Sequence, residues 1–184
     1  MKKRLLLITG SPGSGKTSVL WKTIEALRAR GYSVGGMVSR EVRTSGRRVG
    51  FEILDLTSGE RGCLAHVNQK RGPRIGKYRV NLEDLDNIGV EAIASAVEEA
   101  DAIAIDEIGP MELCSEVFRE AVWNAFGSGK PVISTVHWKS RDKLADEMRR
   151  RNAVTFKVTY ENRGNLHEDI ILKAVEYLEE DRKE

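Results

Sequence analysis

The sequence predicts an α/β fold: a mostly parallel sheet with helices on both of its faces. Short β-rich apolar runs alternate with helical segments along the chain, the pattern of parallel strands joined by covering helices. A glycine-rich loop stands between the first run and the first helix, and a later run, ADAIAIDEIG, ends in two acids. Strand ends of that kind line the ligand crevice of open α/β sheets.

Taken in order, the first strand is expected at Leu5–Thr9 and the first helix from Lys16 to Arg30. Val19, Leu20, Ile24 and Leu27 share one face of that helix and Gly31 is placed to end it. A second strand covers Val34–Glu41. The stretches RRVGFEILDL and ERGCLAHV, separated by TSG, read as an antiparallel hairpin inserted between the core units. The polar, basic segment NQKRGPRIGKYRVN reads as an exposed loop with one short strand. A helix follows at Ile88–Glu99, then the acid-ended strand, a helix at Ser115–Phe126 and a strand at Pro131–Val136. A helix near Ser140–Arg151, a strand at Val154–Val158 and a last helix opening at Asn165 complete the chain. The Asn165 side chain is expected to cap that helix while Glu168 reaches back.

A length of 184 residues fits one domain over residues 1–184 with one good-sized core. Thirty basic residues against 28 acidic ones leave a formal charge of +2, which creates no general field for polyanions. The two cysteines, Cys63 and Cys114, lack CxxC or Cys/His spacing, so neither a disulfide framework nor a zinc site is indicated. The apolar run after the basic start ends in the glycine loop, too short for a signal sequence or a membrane span. These features together predict a cytoplasmic protein with no membrane contact; a monomer is expected, although the sequence does not itself give the oligomeric state.

The loop itself carries chemistry. Gly10, Ser11, Pro12, Gly13, Ser14, Gly15, Lys16 and Thr17 fit G-x-x-x-x-G-K-[ST] between strand and helix, with Ser18 next in the helix. Backbone N–H groups close around a phosphate only where side chains do not intrude, and the helix N-terminus adds its positive dipole end. Lys16 is then expected to reach the β and γ phosphates. The Thr17 hydroxyl suits Mg²⁺, which takes oxygen ligands. Asp106 is expected to hold the same Mg²⁺ through water from a strand neighbouring the loop's own, while Glu107 orients and deprotonates the attacking water.

Weaker signals surround this set. Ser134, Thr135 and His137 end a strand beside the expected site, where a polar group can sense a phosphate or position water. Arginines at 40, 43, 47 and 48, and at 141, 149, 150 and 151, offer charge to a transition state, although most read as surface residues. The basic loop Lys70–Arg79 interleaves only Tyr78, which argues against base stacking and against a nucleic-acid partner. Trp21, Trp123 and Trp138 read as packing residues.

The segments GSPGSGKT, REVRTSGRRVGFEI, PRIGKYRVNL, IDEIGPMEL and VTYENRGNL occur in this order over nearly the whole chain. In them the sequence resembles the small P-loop nucleoside-triphosphatase family of thermophiles, also known as the cancer-related nucleoside-triphosphatase family. The resemblance implies a RecA-like sheet and Mg²⁺-dependent hydrolysis of ATP, GTP, CTP and UTP to the diphosphate and phosphate with little base selectivity. It also implies a catalytic role for Glu107 and places Asn162 and Arg163 near the nucleobase. Arg40 stands where that pattern leads one to expect an acid. Two alternatives stay open at this point: a small-molecule or nucleotide kinase, which Glu107 argues against, and an NTP-driven module on nucleic acid.

Overall fold

The computed structural model describes residues 4–136, 142–150 and 153–181. Five strands form its parallel centre: β1 (Leu5–Thr9), β2 (Val34–Thr44), β7 (Ala102–Ile108), β8 (Val132–Val136) and β9 (Val154–Lys157). They lie side by side in the order β2-β7-β8-β1-β9. Four further strands extend the sheet beyond β2 with antiparallel pairing: β3 (Arg47–Asp55), β4 (Arg61–His66), β5 (Arg74–Ile75) and β6 (Tyr78–Val80).

The inner strands β1, β7 and β8 are apolar along most of their length because both faces are covered. Leu6 and Ile8 of β1 pack with α1 (Lys16–Ala29) and α6 (Leu166–Asp181), through Leu20, Ile24 and Ile170. Leu5 and Leu7 point the other way, into a second core with Phe118 and Val122 of α4 (Glu116–Gly127) and Met148 of α5 (Lys143–Arg150). Ile93 and Ala96 of α3 (Glu91–Glu99) join that second core. The expected α/β class, with helices on both faces and an inserted hairpin at β3 and β4, is thus what the chain forms.

Four differences from the sequence reading have physical causes. The acid-bearing β7 is not next to β1, because β8 lies between them. The basic loop supplies two short strands rather than one, since Gly76 at φ 60° closes a tight turn and Tyr78 and Val80 bury themselves. Helical structure before α3 starts early, at α2 (Leu82–Asp84), and runs through a π-helical segment at Leu85–Val90. Asn81 caps it by accepting the Asp84 N–H at 3.3 Å, while Gly89 within it hides the helical pattern. At the start of α6, the Glu168 N–H closes the turn on the Asn165 main-chain carbonyl at 2.9 Å. Ser140, Arg141 and Arg151, together with His137 and Trp138, lie outside the described residues, as does the Arg149 side chain.

Candidate active site

The glycine loop turns between β1 and α1 as the motif requires. Ser14 donates its N–H to the Ser11 carbonyl at 3.1 Å. Gly15 adopts φ 104° at the mouth of α1, and a side chain there would also press on Arg163, whose Cδ is 3.5 Å from the Cβ position. At Gly10 a Cβ would fall 2.8 Å from the Val158 carbonyl oxygen, so the loop lies tight against the end of β9. Ser14 is 1 % exposed, and its hydroxyl is buried with no hydrogen-bond partner among the described residues. A buried polar group left in that state is costly, and a phosphate oxygen is a suitable acceptor for it. Lys16 curls back over the loop, its Nζ donating to the carbonyls of Gly10 at 3.2 Å and Ser11 at 3.3 Å. Thr17 and Ser18 open the first turn of α1 and are exposed.

The acid element meets this loop directly. The Thr17 hydroxyl donates to Asp106 Oδ2 at 3.0 Å. The intervening strand contributes to the same group, for Thr135 of β8 donates its hydroxyl to Asp106 Oδ1. Asp106 is buried, and burial pushes its pKa up to about 6 against the lowering effect of the Thr135 and Thr17 hydroxyls. The charge of Glu107 raises it further and that of Lys16 lowers it. Glu107 is half-buried, and burial raises its pKa while Lys16 lowers it. Ser134 spends its hydroxyl on the Ile105 carbonyl at 3.0 Å, holding β8 to β7 instead of facing the site.

A third carboxyl, which sequence reasoning did not single out, stands beside Glu107. Glu112 follows β7 in a 3₁₀ turn (Glu112–Cys114) and is 4 % exposed. A Cβ built on Gly109 would lie 3.1 Å from Glu112 Oε2 and 3.2 Å from Glu107 Oε1, so glycine leaves the two acids room to approach. Burial first, then the charge of Glu107, push the Glu112 carboxyl up to about 8, although its own and the Gly109 N–H hold it down. A carboxyl spaced five residues after another acid gives no pattern by which its burial could be seen in the sequence.

The sign of its pH linkage follows from that shift. An unfolded glutamate ionises near its ordinary value of 4.5, whereas the folded one keeps its proton until about pH 8. Between these values the folded state binds more protons, so this group's contribution to stability falls as pH rises. The Glu112→Gln chain carries no such proton. Its stability relative to the unchanged chain is expected to rise by ~1 kcal/mol or more from pH 6 to pH 8, read by urea unfolding.

The remaining candidate residues divide. Asn162 gives its amide to its own loop: Oδ1 accepts the Thr159 N–H at 2.8 Å and Nδ2 donates to the Lys157 carbonyl at 2.9 Å. Arg163 lies against Gly15 and stacks its guanidinium 5.1 Å from the centre of the Tyr160 ring, itself 66 % exposed. The Arg43 and Arg48 guanidinium groups both bind Glu41, at 2.6 Å each. Trp123 edges onto Phe126 on α4, remote in the fold from the loop. Cys63 and Cys114 are half-buried and unpaired, and burial raises both thiols. No helix among the described residues is long and apolar enough to cross a membrane.

Comparison with known proteins agrees with this geometry. The model of a family described as NTPase matches residues 5–171. The nucleoside-triphosphatase THEP1 of Thermofilum pendens is 48 % identical over 168 residues, which cover 90 % of this chain and 92 % of the relative. That of Methanopyrus kandleri is 42 % identical over 177 residues, covering 95 % and 97 %. The crystal structure of THEP1 from Aquifex aeolicus superposes with a TM-score of 0.80 at 33 % identity, covering 90 % of this chain and 95 % of that one. The solution structure of a human cancer-related nucleoside triphosphatase gives 0.79 at 34 %, covering 92 % and 96 %. With a phosphate loop, an opposed acid strand and these relatives together, the chain belongs to the NTPase family and is a P-loop nucleoside-triphosphate hydrolase.

Proposed function

We propose that the enzyme cleaves nucleoside 5′-triphosphates to the diphosphate and phosphate with Mg²⁺, and with little selection among ATP, GTP, CTP and UTP. The observation that carries this reading is the Thr17–Asp106 hydrogen bond, which ties the phosphate loop to the acid strand with Glu107 at its side. Hydroxyl and carboxylate oxygens are the donors Mg²⁺ prefers, and the site sets the Thr17 and Thr135 hydroxyls around the Asp106 carboxylate. Thr17 would hold the ion directly and Asp106 through water; when bound, the ion neutralises phosphate charge.

The chain's own groups do the rest. Loop N–H groups and the N-terminus of α1 bind the phosphates, and Lys16 exchanges its loop carbonyls for the β and γ oxygens. Glu107 accepts a proton from water as the water oxygen bonds to the terminal phosphorus. The bond from that phosphorus to the bridging oxygen breaks and the diphosphate leaves with the electron pair. The partial burial that raises the basicity of Glu107 suits it to this task.

Low base selectivity fits the Tyr160–Arg163 pair beside the loop, since flat rings and guanidinium planes cover any base. Strong discrimination needs buried polar groups that go unpaired with the wrong base, and Asn162 has already committed its amide. The test is a phosphate-release panel over the four nucleotides with Mg²⁺. Values of kcat/KM are expected to fall within about a hundredfold of one another, ~2.7 kcal/mol in transition-state binding. A thousandfold preference for one base defeats low selectivity, and turnover that requires an acceptor points to a kinase.

A monomer in the cytoplasm, without a nucleic-acid partner, completes the reading. The two unpaired thiols support the cytoplasmic part of it, and the near balance of charge supports the lack of a nucleic-acid partner.

A further inference from the structure

β2 outruns the parallel sheet. Its last pair with β7 joins Val38 to Asp106, yet the strand continues to Thr44. Arg40 therefore stands two residues past the Asp106 level, over the crevice at the carboxyl ends of the strands. Strand periodicity puts it on the same face as Val38, whose side chain packs in the core beneath α1 with Ala102 and Ala104 of β7. Asp106 shares the parity of those alanines, and it meets Thr17 of α1. From the rise along a strand and the spacing between strands, the Cα atoms of Arg40 and Asp106 are about 8 Å apart, within the span of an extended arginine.

The guanidinium rests 5.0 Å from the centre of the Trp21 ring. Trp21 is four residues after Thr17, hence one turn along the same side of α1. Glu41, the acid next to Arg40, is taken by Arg43 and Arg48, and no carboxylate among the described residues pairs with Arg40. Arg40 is thus an exposed, uncompensated cation parked on an aromatic face beside the site. Trp21 is half-buried but Arg40 is exposed, and a solvated cation on a ring is held weakly, whereas a two-pronged bond to a phosphate is among the stronger polar contacts.

We propose that Arg40 is a catalytic residue that leaves Trp21 on nucleotide binding and sets its guanidinium on the terminal phosphate, supplying charge for the transition state from within the chain. The proposal rests on hydrolysis at the phosphate loop. It adds a cation where Lys16 faces Asp106 and Glu107.

The experiment compares the unchanged enzyme with Arg40→Ala and Arg40→Lys, both changes being at an exposed position that leaves the core intact. It measures kcat, the affinities for a nucleoside diphosphate and for a non-hydrolysable triphosphate analogue, and tryptophan emission on adding each with Mg²⁺. Arg40→Ala is expected to lower kcat by about 10²-fold or more and to weaken the analogue, while diphosphate affinity stays within about threefold. Arg40→Lys recovers only part, because an ammonium lacks the planar fork. The analogue is expected to shift the emission of the unchanged enzyme, but not that of Arg40→Ala or Trp21→Phe, and the diphosphate is expected to shift none. A kcat within about threefold, equal losses of diphosphate and analogue, or an unaltered emission response in Arg40→Ala overturns the assignment. Binding and emission are read without turnover, so failure of the hydrolysis reading is distinguishable from failure of this one.

Discussion

Replacing Lys16 by alanine is expected to abolish triphosphate hydrolysis and to leave the melting temperature nearly unchanged. The Lys16 ammonium donates to two loop carbonyls, at Gly10 and Ser11, and water can take over both when it is removed. Its catalytic loss is larger than one missing phosphate contact, because Lys16 also holds down the carboxyls of Glu107 and Asp106. Without it Glu107 spends more time protonated and Asp106 is less fully ionised. A fall in kcat of about 10³-fold or more, ~4 kcal/mol, is the expected scale. Single-turnover phosphate release on the purified, folded variant decides it, and near-normal turnover would remove the phosphate loop from the mechanism.

Glu107→Gln is expected to separate binding from cleavage. Glutamine keeps the shape and much of the polarity of the side chain but accepts no proton from water, so triphosphate affinity holds while the rate of the bound nucleotide falls by roughly 10²–10⁴. The substitution also removes a negative charge that raises both Asp106 and Glu112, so affinity for Mg²⁺ and nucleotide is expected to rise slightly. If affinity falls instead and the bound nucleotide reacts at the ordinary rate, Glu107 serves the metal or the fold. A burst experiment with radiolabelled nucleotide measures the two effects separately.

Much of this site was legible in the sequence because its chemistry is local. Gly10 to Thr17 declares itself by spacing, and the run AIAIDEI declares both its strand and the acids at its end. The parts that were not legible depend on distant pairing. No local pattern says that Val132–Val136 slides between β1 and β7, so the Thr135 contact with Asp106 appeared only with the sheet order. Glu112 looks like any solvated acid until the turn after β7 folds it under Glu107. Asn162 was placed near the base by resemblance, but its amide turned out to be bound within its loop, a choice set by the backbone at Lys157 and Thr159. Tyr160 was missed because one exposed aromatic in a turn carries no periodic signal.

The position of β1 between β8 and β9 has a consequence for how the enzyme is born. On the ribosome the phosphate loop emerges before either strand that flanks β1, because Val132–Val136 and Val154–Lys157 are made later. An early nascent chain can pair β2 with β3 and β3 with β4, since those partners are close in sequence and hairpin closure is fast. It cannot seat the strand on which the loop stands. Closing so long a span is slow, so the capacity to grip a nucleotide arrives only after β8 and β9 have been made. Chains that stall before β8 are made carry every residue of the glycine motif and have no scaffold to shape it.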